Sequence, residues 1–306
     1  MDFLTLMDYL IRGLSLGSIY AIIALGYTMV YGIAKMLNFA HGDVIMVGAY
    51  ACFFTMSGMS PMFEAGSVSA MVVPALAGVV LSMVVCTVLG VVIEGLAYKP
   101  LRQAPSLAVL ITAIGVSYFL QNAALLLWSS SPKYFTPIVG SGQLRVGPLS
   151  ISYVTLVAIV ACVIIMVCLT MFTGKTKMGK AMRAVSEDKG AAQLMGINVN
   201  RTISMTFAIG SALAAIAGVL LCSAYPTLTP TTGSMPGIKA FTAAVFGGIG
   251  SIPGALLGGL LLGIIEIFAS AYISTQLSTA VVFGVLIVVL LVKPAGLLGK
   301  TVREKV

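Results

Sequence analysis

Three carboxyl side chains, those of Asp43, Glu94 and Glu266, lie within or beside long apolar stretches of the sequence. A carboxylate in apolar surroundings is costly unless it is paired, and inside a membrane it is by default a candidate for a role in moving a solute. Two of the three also have a structural interpretation. Asp43 comes two positions after the only histidine, His41, and can cap an interrupted helix. Glu94 comes five positions before Lys99 and can pair with it at an interface. For Glu266 the sequence favours neither role.

Two segments are dense in residues that interrupt helices, and they occupy similar places in the two halves of the chain. The first runs from Asn38 to Asp43, and the second runs from Gly247 to Gly254. At membrane depth, such breaks are tolerated only where the freed backbone is buried in protein or lines a wet cavity, and paired breaks are typical of inverted repeats around a central path. The alternative is that the glycines only allow close helix packing. The candidate path residues are Asn38, His41, Asp43, Gly247, Gly248, Gly250, Pro253 and Glu266.

Catalytic and ligand-binding patterns are missing from the sequence. Gly174-Lys175-Thr176 lacks the glycine that a phosphate-binding loop carries five positions earlier, so any ATP hydrolysis must occur on another chain. The five cysteines all lie in apolar runs, and no pair has the C-x-x-C spacing of a metal or redox site. With one histidine and no His/Cys/Asp cluster, a membrane enzyme is disfavoured. We expect a non-catalytic protein with no cofactor and no metal.

The elements that must position these residues follow from composition. Of the 306 residues, 59% are hydrophobic and 8% are charged, whereas a soluble domain has about 25% charged residues. A bilayer core about 30 Å thick needs about 20 apolar residues per helix, and barrel strands would instead alternate over about ten residues. We predict one all-α domain over residues 1–306, a polytopic transmembrane bundle of eight or nine segments in the lipid bilayer. The charge-free runs are Gly13–Ala34, Val44–Phe63, Ala65–Ile93, Gln103–Pro132, Val146–Gly174, Thr202–Ile238, Ala240–Ile265 and Ile267–Val292.

The positions of the cations predict how the chain is oriented. The net charge of +8 indicates cytoplasmic loops rather than a nucleic-acid partner, because six of the 17 lysines and arginines lie in residues 175–201. Other cations fall in the 99–102 loop and at the C-terminus, at Lys293, Lys300, Arg303 and Lys305. Residues 129–150 contain only two cations and are predicted to form a periplasmic loop with a short hairpin. A second periplasmic loop is predicted near Tyr225–Pro236.

The cytoplasmic loop 175–201 is predicted to contain two short helices. Met178, Met182 and Val185 recur with helical spacing on one apolar face. Ser186 is the predicted N-cap of the second helix, with Glu187 and Asp188 at its positive end, and Gly196 ends it. The small apolar body of that helix suits a groove in a partner protein, although a basic amphipathic loop can also lie on an anionic leaflet. The candidate coupling residues are Arg183, Ser186, Glu187, Asp188, Ala191, Ala192, Leu194 and Gly196.

Three separated segments carry a resemblance that covers nearly the whole chain. They are Gly26–Asp43, Gly179–Ile197 and Phe246–Ala255. In this order they resemble the LivH-type permeases of branched-chain amino acid ABC importers. The resemblance implies a bacterial inner-membrane permease with a second, LivM-like permease, two cytoplasmic ATP-binding subunits and a periplasmic protein that delivers leucine, isoleucine or valine. It also implies that the loop 175–201 is a coupling helix seated in an ATPase cleft.

An ion-coupled secondary transporter of small amphipathic solutes is the alternative function. Such carriers also have inverted repeats and broken helices, but they carry their own coupling acids. They need no cytoplasmic loop that docks a motor, so the predicted helix pair in residues 175–201 favours the ATP-driven importer.

Labelling with a membrane-impermeant thiol reagent tests the predicted orientation. In a background without the five native cysteines, a single cysteine at Arg183 or Lys189 is expected to react only when the cytoplasmic face is open to the reagent. A cysteine at Lys133 is the control and is expected to react from outside. Labelling of Arg183→Cys or Lys189→Cys in intact cells would contradict the orientation.

Overall fold

The computed structural model of the chain describes residues 3–63, 68–140, 142–146 and 149–299. Lys300, Arg303 and Lys305 of the basic C-terminus lie outside the described residues, as do residues 141, 147 and 148 of the predicted periplasmic loop. Within the described ranges the protein is a helical bundle with two small strand pairs, which confirms the predicted all-α class.

Seven helices are long and apolar enough to cross a membrane. They are α1 (Phe3–Ala34), α2 (His41–Met59), α3 (Val68–Ile93), α4 (Ser106–Trp128), α5 (Tyr153–Lys175), α8 (Val199–Ala224) and α10 (Ile252–Tyr272). A 3₁₀ turn (Ser60–Met62) follows α2, and a π-helical turn (Glu94–Tyr98) follows α3. The shorter helices are α6 (Lys177–Glu187), α7 (Lys189–Leu194), α9 (Ser234–Gly247) and α11 (Ser278–Val292). Helix α11 is shorter but apolar and is a candidate for an eighth segment.

The strands lie where the sequence predicted a periplasmic loop. β2 (Gln143–Val146) pairs antiparallel with β3 (Leu149–Ser152), so the predicted hairpin is confirmed at the end of that loop. β1 (Lys133–Tyr134) pairs with β4 (Thr227–Leu228), and this pairing joins the two predicted periplasmic loops to each other.

Helix α1 is the centre of the bundle and packs against α5, α8, α9 and α10. Its contact with α10 depends on small residues, because a Cβ on Gly17 would lie 2.8 Å from the Cα of Leu260. A Cβ on Gly263 would overlap the backbone of Gly17. Such close approach of two backbones is how membrane helices gain packing energy where the lipid supplies no hydrophobic drive.

The first predicted helix break is present between α1 and α2. Helix α1 ends at Ala34, Lys35 takes a left-handed conformation with φ 58°, and regular helix resumes only at His41. Gly26 lies about 12 Å along α1 from its end, by the 1.5 Å rise per residue. A Cβ on Gly26 would lie 2.7 Å from Cε1 of His41. The chain therefore turns back into the bundle before α2 begins.

The predicted break at Gly247–Gly254 is also present, because α9 ends at Gly247 and α10 begins only at Ile252. A further non-helical segment, residues 225–233, precedes α9. A Cβ on Gly42 would lie 2.7 Å from the carbonyl oxygen of Gly233, and one on Gly237 would lie 2.8 Å from the Cα of Gly42. The N-terminal ends of α2 and α9 therefore meet inside the bundle. The inverted-repeat character of the chain stays a prediction.

The segment Gly247–Gly254 forms a tight turn from α9 into α10. Gly248 and Gly250 have φ of +106° and +93°, which favour glycine, and Ser251 caps α10 by accepting from the backbone N–H of Gly254. The backbone N–H groups of Leu297 and Leu298 donate to the carbonyl oxygens of Phe246 and Gly247. These last carbonyl groups of α9 therefore have hydrogen-bond partners although the helix ends there.

Alanine substitution tests the packing of α1 on α10. Gly263→Ala is expected to lower the stability of the purified chain by about 1–3 kcal/mol, because the methyl group has no room against Gly17. Gly284→Ala is the matched control, since a Cβ there meets no atom within 4 Å and helix propensity rises by about 1 kcal/mol. Thermal melting in detergent measures both. Equal melting temperatures for the two variants would show that α1 and α10 are not in close contact.

Candidate translocation path and cytoplasmic docking surface

A cavity of about 820 Å³ opens on the side of the bundle that carries the β2–β3 hairpin. Its walls come from α1, the hairpin, α5, the end of α8, α9, α10 and the start of α11. Apolar side chains alternate with hydroxyl groups along these walls. We call this cavity, whose lining includes Leu16, Ser152, Lys239 and Glu266, the vestibule. By the predicted orientation it faces the periplasm.

A buried ion pair lies in the vestibule wall. Lys239 Nζ of α9 is 2.7 Å from Glu266 Oε1 of α10, and the hydroxyl of Tyr20 donates to Glu266 Oε2 at 3.0 Å. Only 8% of the surface of Lys239 is exposed. The predicted path residue Glu266 is therefore fully paired, with partners from two other helices.

The other polar path candidates are buried beside the first helix break. Gln121 of α4 donates to Asp43 Oδ1 at 2.9 Å and to Ser234 Oγ at 3.1 Å, so one amide joins the first turns of α2 and α9. The hydroxyl of Tyr98 donates to Asn38 Oδ1 at 2.9 Å. Neither Asn38 nor Asp43 is among the described residues that line the vestibule. Asp43 is not the N-cap predicted by one interpretation, because that position belongs to Ala40.

An aromatic layer lies between α1, the first non-helical segment and α9. It consists of Tyr27, Phe39 and Phe241, with ring centroids 5.6 Å apart for Tyr27 and Phe241 and 5.4 Å apart for Phe39 and Phe241. His41 packs against Tyr27 at 4.6 Å. A void of about 10 Å³ lies beside Tyr27 and Phe241, and a cavity of about 440 Å³ adjoins it, with Tyr31, Met36 and Leu37 in the walls of both.

The loop 175–201, which is predicted to be cytoplasmic, folds as two short helices, as predicted, but its capping differs. Asp188 is the N-cap of α7, and its Oδ1 accepts from the backbone N–H groups of Gly190 and Ala191 at 2.7 and 3.0 Å. Ser186, the predicted cap, instead lies within α6 and donates to the carbonyl of Arg183. Glu187 is the last residue of α6, so it does not stand at the start of α7.

The end of α7 is as predicted. Gly196 has φ +81°, and the N–H of Ile197 donates to the carbonyl of Ala192 at 3.0 Å, which is the hydrogen bond of a glycine-terminated helix. Ala192 itself is 3% exposed, so the expectation that the whole small apolar body faces a partner is wrong for this residue.

The surface that α7 presents is apolar at its tip. Leu194 is 90% exposed and Met195 is 82% exposed, with Ala191 and Gln193 exposed beside them. We call these four residues the α7 tip. The apolar face of α6 points the other way, since Met182 and Val185 are buried against the bundle. Large exposed apolar side chains outside a membrane-spanning segment indicate an interaction site.

Helix α7 is tied to the end of α1. Lys189 Nζ donates to the carbonyl oxygen of Ala34 at 3.1 Å, immediately before the first helix break. Burial lowers the pKa of Lys189, and the nearby cations Arg102 and Lys35 lower it further. Burial and the neighbouring cations therefore destabilise the charged form of Lys189, and the hydrogen bond to α1 offsets part of that cost.

Glu94 has a different partner from the one that the sequence suggested. It forms a salt bridge with Arg102 rather than with Lys99, and the hydroxyl of Ser204 donates to its other oxygen at 2.6 Å. Arg102 also donates to Asn200 at the start of α8. This buried cluster joins the π-helical turn to α8, so pairing is the role that the geometry gives to Glu94.

Comparison with known proteins assigns the chain to a family. The model of a family described as "Branched-chain amino acid transport system / permease component" matches residues 9–290. The chain belongs to this family. The family confirms the resemblance and the predicted class, a non-catalytic, multi-pass membrane permease, and it does not favour the secondary transporter.

Individual relatives match over nearly their whole length. The chain is 47% identical over 318 residues to the high-affinity branched-chain amino acid transport system permease protein LivH of Escherichia coli K12, covering 100% of this chain and 99% of the relative. It is 45% identical over 304 residues to the permease protein BraD of Pseudomonas aeruginosa, covering 98% of each. A probable LivH of Methanocaldococcus jannaschii is 29% identical over 78% of this chain and 73% of its own length. No solved structure matches the chain.

Two features of this permease were missed by sequence reasoning. Lys239 was taken only as a boundary between apolar runs, although Lys239 and Glu266 are the only charged residues between Arg201 and Lys293. That balance of one cation and one anion is a signal for pairing. The sequence pattern alone does not distinguish the exposed Leu194 and Met195 from the buried Ala192. The position of the α7 N-cap decides which side of the helix each residue occupies.

Proposed function

We propose that this chain is a path-forming permease subunit of an ATP-driven importer of leucine, isoleucine and valine in the bacterial inner membrane. The observation that carries the proposal is a cavity of about 820 Å³ at one end of the bundle, with an exposed apolar tip at the opposite end. The names of the relatives BraD and LivH support the substrate class. This arrangement suits a subunit that accepts solute on one side and engages a motor on the other.

The proposed assembly contains three kinds of partner. A second, LivM-like permease completes the path, two cytoplasmic ATP-binding subunits supply the energy, and a periplasmic amino-acid-binding protein delivers the solute. ATP is hydrolysed on the partner chains, since the sequence of this subunit holds no phosphate-binding loop. The β2–β3 hairpin and the β1–β4 pair frame the vestibule mouth, where the delivering protein would dock.

The α7 tip is the proposed seat of an ATP-binding subunit. Leu194 and Met195 supply the apolar contact, as anchor residues do in a groove that receives a helix. Asp188 and Gly196 define the two ends of α7, and Arg183 and Glu187 are exposed beside it. Ser186 and Ala192 hold the loop together internally and are not proposed contacts.

Movement at the α7 tip has a short physical route to the path. Lys189 follows the α7 cap and holds the carbonyl of Ala34, after which residues 35–40 lead into α2 and the aromatic layer. We propose that displacement of α7 by the motor shifts this non-helical segment, including Asn38 and Phe39. A segment without regular hydrogen bonds can change its backbone angles at lower cost than a helix.

Charge introduced at the α7 tip tests the docking proposal. The double variant L194D/M195D is expected to lose co-purification with the ATP-binding subunits and to reduce ATP-dependent leucine uptake to background. A desolvated carboxylate in an apolar groove is strongly unfavourable, whereas both positions are exposed in this chain alone. The measurements are affinity purification of the co-expressed complex and uptake of labelled leucine into proteoliposomes.

Met62→Asp is the matched control, because Met62 is 77% exposed at the opposite end of the bundle. It is expected to leave co-purification intact. An unchanged melting temperature of the isolated L194D/M195D chain shows that the fold is preserved. Retained co-purification would refute docking at the α7 tip and favour a loop that lies on the leaflet. Uptake that continues without ATP and stops when ion gradients are collapsed would refute the importer itself.

A further inference from the structure

The Lys239–Glu266 pair is an unusual use of charge for a membrane bundle. A buried ion pair commonly contributes no more stability than well-packed apolar residues of similar size, because both charges lose their hydration. Here the pair lies in the wall of the vestibule, a cavity of about 820 Å³, rather than deep between packed helices. Ionisable residues that face a cavity inside a membrane protein are by default candidates for contact with the transported solute.

We propose that Lys239 and Glu266 form the recognition site for the two charged groups of a zwitterionic amino acid. The carboxylate of the solute would pair with the ammonium group of Lys239, and its ammonium group would pair with the carboxylate of Glu266. One internal ion pair is thereby replaced by two ion pairs with the solute. This inference rests on the proposed importer function and names the residues that recognise its substrate.

Each protein charge is matched before and after the exchange. In the structure Lys239 Nζ and Glu266 Oε1 satisfy each other at 2.7 Å. An uncharged or singly charged solute would leave at least one of these buried charges without a partner, which is costly. The pair therefore selects for a solute that carries both signs on neighbouring atoms, as an α-amino acid does.

Tyr20 is a positioning residue for this exchange. Its hydroxyl donates to Glu266 Oε2 at 3.0 Å, on the oxygen that Lys239 does not occupy. The carboxylate of Glu266 therefore stays oriented when the lysine turns toward the solute. Lysine suits the mobile part because its ammonium group is a point charge on a flexible stem with rotatable donors.

The remaining walls of the vestibule fit the rest of such a solute. Leu16, Ile19 and Ile267 line it beside Tyr20 and Glu266 and offer an apolar surface to a branched aliphatic side chain. Its volume of about 820 Å³ lies within the range of about 300–1,000 Å³ that is typical of small-molecule sites. The vestibule therefore supplies both the charged and the apolar part of the recognition.

The second charge pair of the vestibule does not have these properties. Among the described lining residues, the other charged side chains are Asp8 and Arg12, which pair at 2.8 Å one helical turn apart on α1. The side chain of Arg12 is 68% exposed, so solvent already satisfies it. Exposed pairs of this kind contribute little, which makes Asp8 and Arg12 a suitable control.

The double variant K239M/E266L separates recognition from structure. It removes both charges together, so no buried charge is left without a partner and the bundle can pack. With partners and binding protein reconstituted, ATP-dependent leucine uptake is expected to fall by about 100-fold or more, as for the loss of buried charge pairs between two molecules. Co-purification is expected to stay at the wild-type level, and the melting temperature is expected to fall only slightly, because the buried hydroxyl of Tyr20 loses its acceptor. The control D8N/R12Q is expected to keep wild-type uptake.

Uptake by K239M/E266L equal to that of the wild type would overturn the inference and leave the pair as a structural contact. If K239M/E266L does not fold, K239Q/E266Q takes its place with the same two outcomes. Leucine at millimolar concentration is expected to raise the melting temperature of the wild-type complex but not that of the variant. N-acetyl-leucinamide, which lacks both charges, is expected to raise neither, and equal protection by it would also overturn the inference.

The same experiment distinguishes the two levels of proposal. A wild-type complex without ATP-dependent leucine uptake would refute the proposed function. A working wild-type complex whose K239M/E266L variant works equally well would refute only the recognition site.

Discussion

The structure depends on one constraint of the lipid environment, that backbone polar groups must be satisfied inside the protein because hydrocarbon offers no partners. This chain leaves helical geometry at residues 35–40 and 225–233 and still brings the ends of α2 and α9 into the bundle. At the point where these two ends meet, Gly42 and Gly233 are both buried. Glycine makes this meeting possible, since Gly42, Gly233 and Gly237 let two backbones approach closely. The central position of α1 and the small residues along it follow from the same requirement.

The two breaks divide the bundle into functional levels. Above them, in the predicted periplasmic direction, lies the vestibule with the Lys239–Glu266 pair. At the breaks lies the aromatic layer, to which Phe39 of the first non-helical segment and Phe241 of α9 both contribute. Below them, α7 holds the end of α1 through Lys189. The parts that would receive a solute, block its passage and sense a motor are therefore linked through segments that are not held by helical hydrogen bonds.

Sequence reasoning predicted the features that local pattern determines. Composition predicted the helical class, cation placement predicted the loops, and the Asn38–Asp43 segment predicted the first break. Features that depend on partners far apart in the sequence could not be predicted in this way. No spacing rule connects Gln121 with Asp43. Likewise, the sequence does not show that Glu94 pairs with Arg102 and not with Lys99. Residues 225–233 were predicted only as part of a periplasmic loop, and no local pattern indicates that Gly233 lies against Gly42. The cap of α7 was misplaced because Ser186 and Asp188 are both good capping residues, and only the fold shows which N–H groups need an acceptor.

A cryo-electron microscopy map of the assembled complex in lipid, at a resolution that traces the backbone, tests the paired breaks most directly. The expected result is that residues 35–40 and 225–233 are not helical and that Gly42 lies in van der Waals contact with Gly233 and Gly237. A continuous helix through either segment, or a third helix between Gly42 and Gly237, would contradict the proposed architecture of the path.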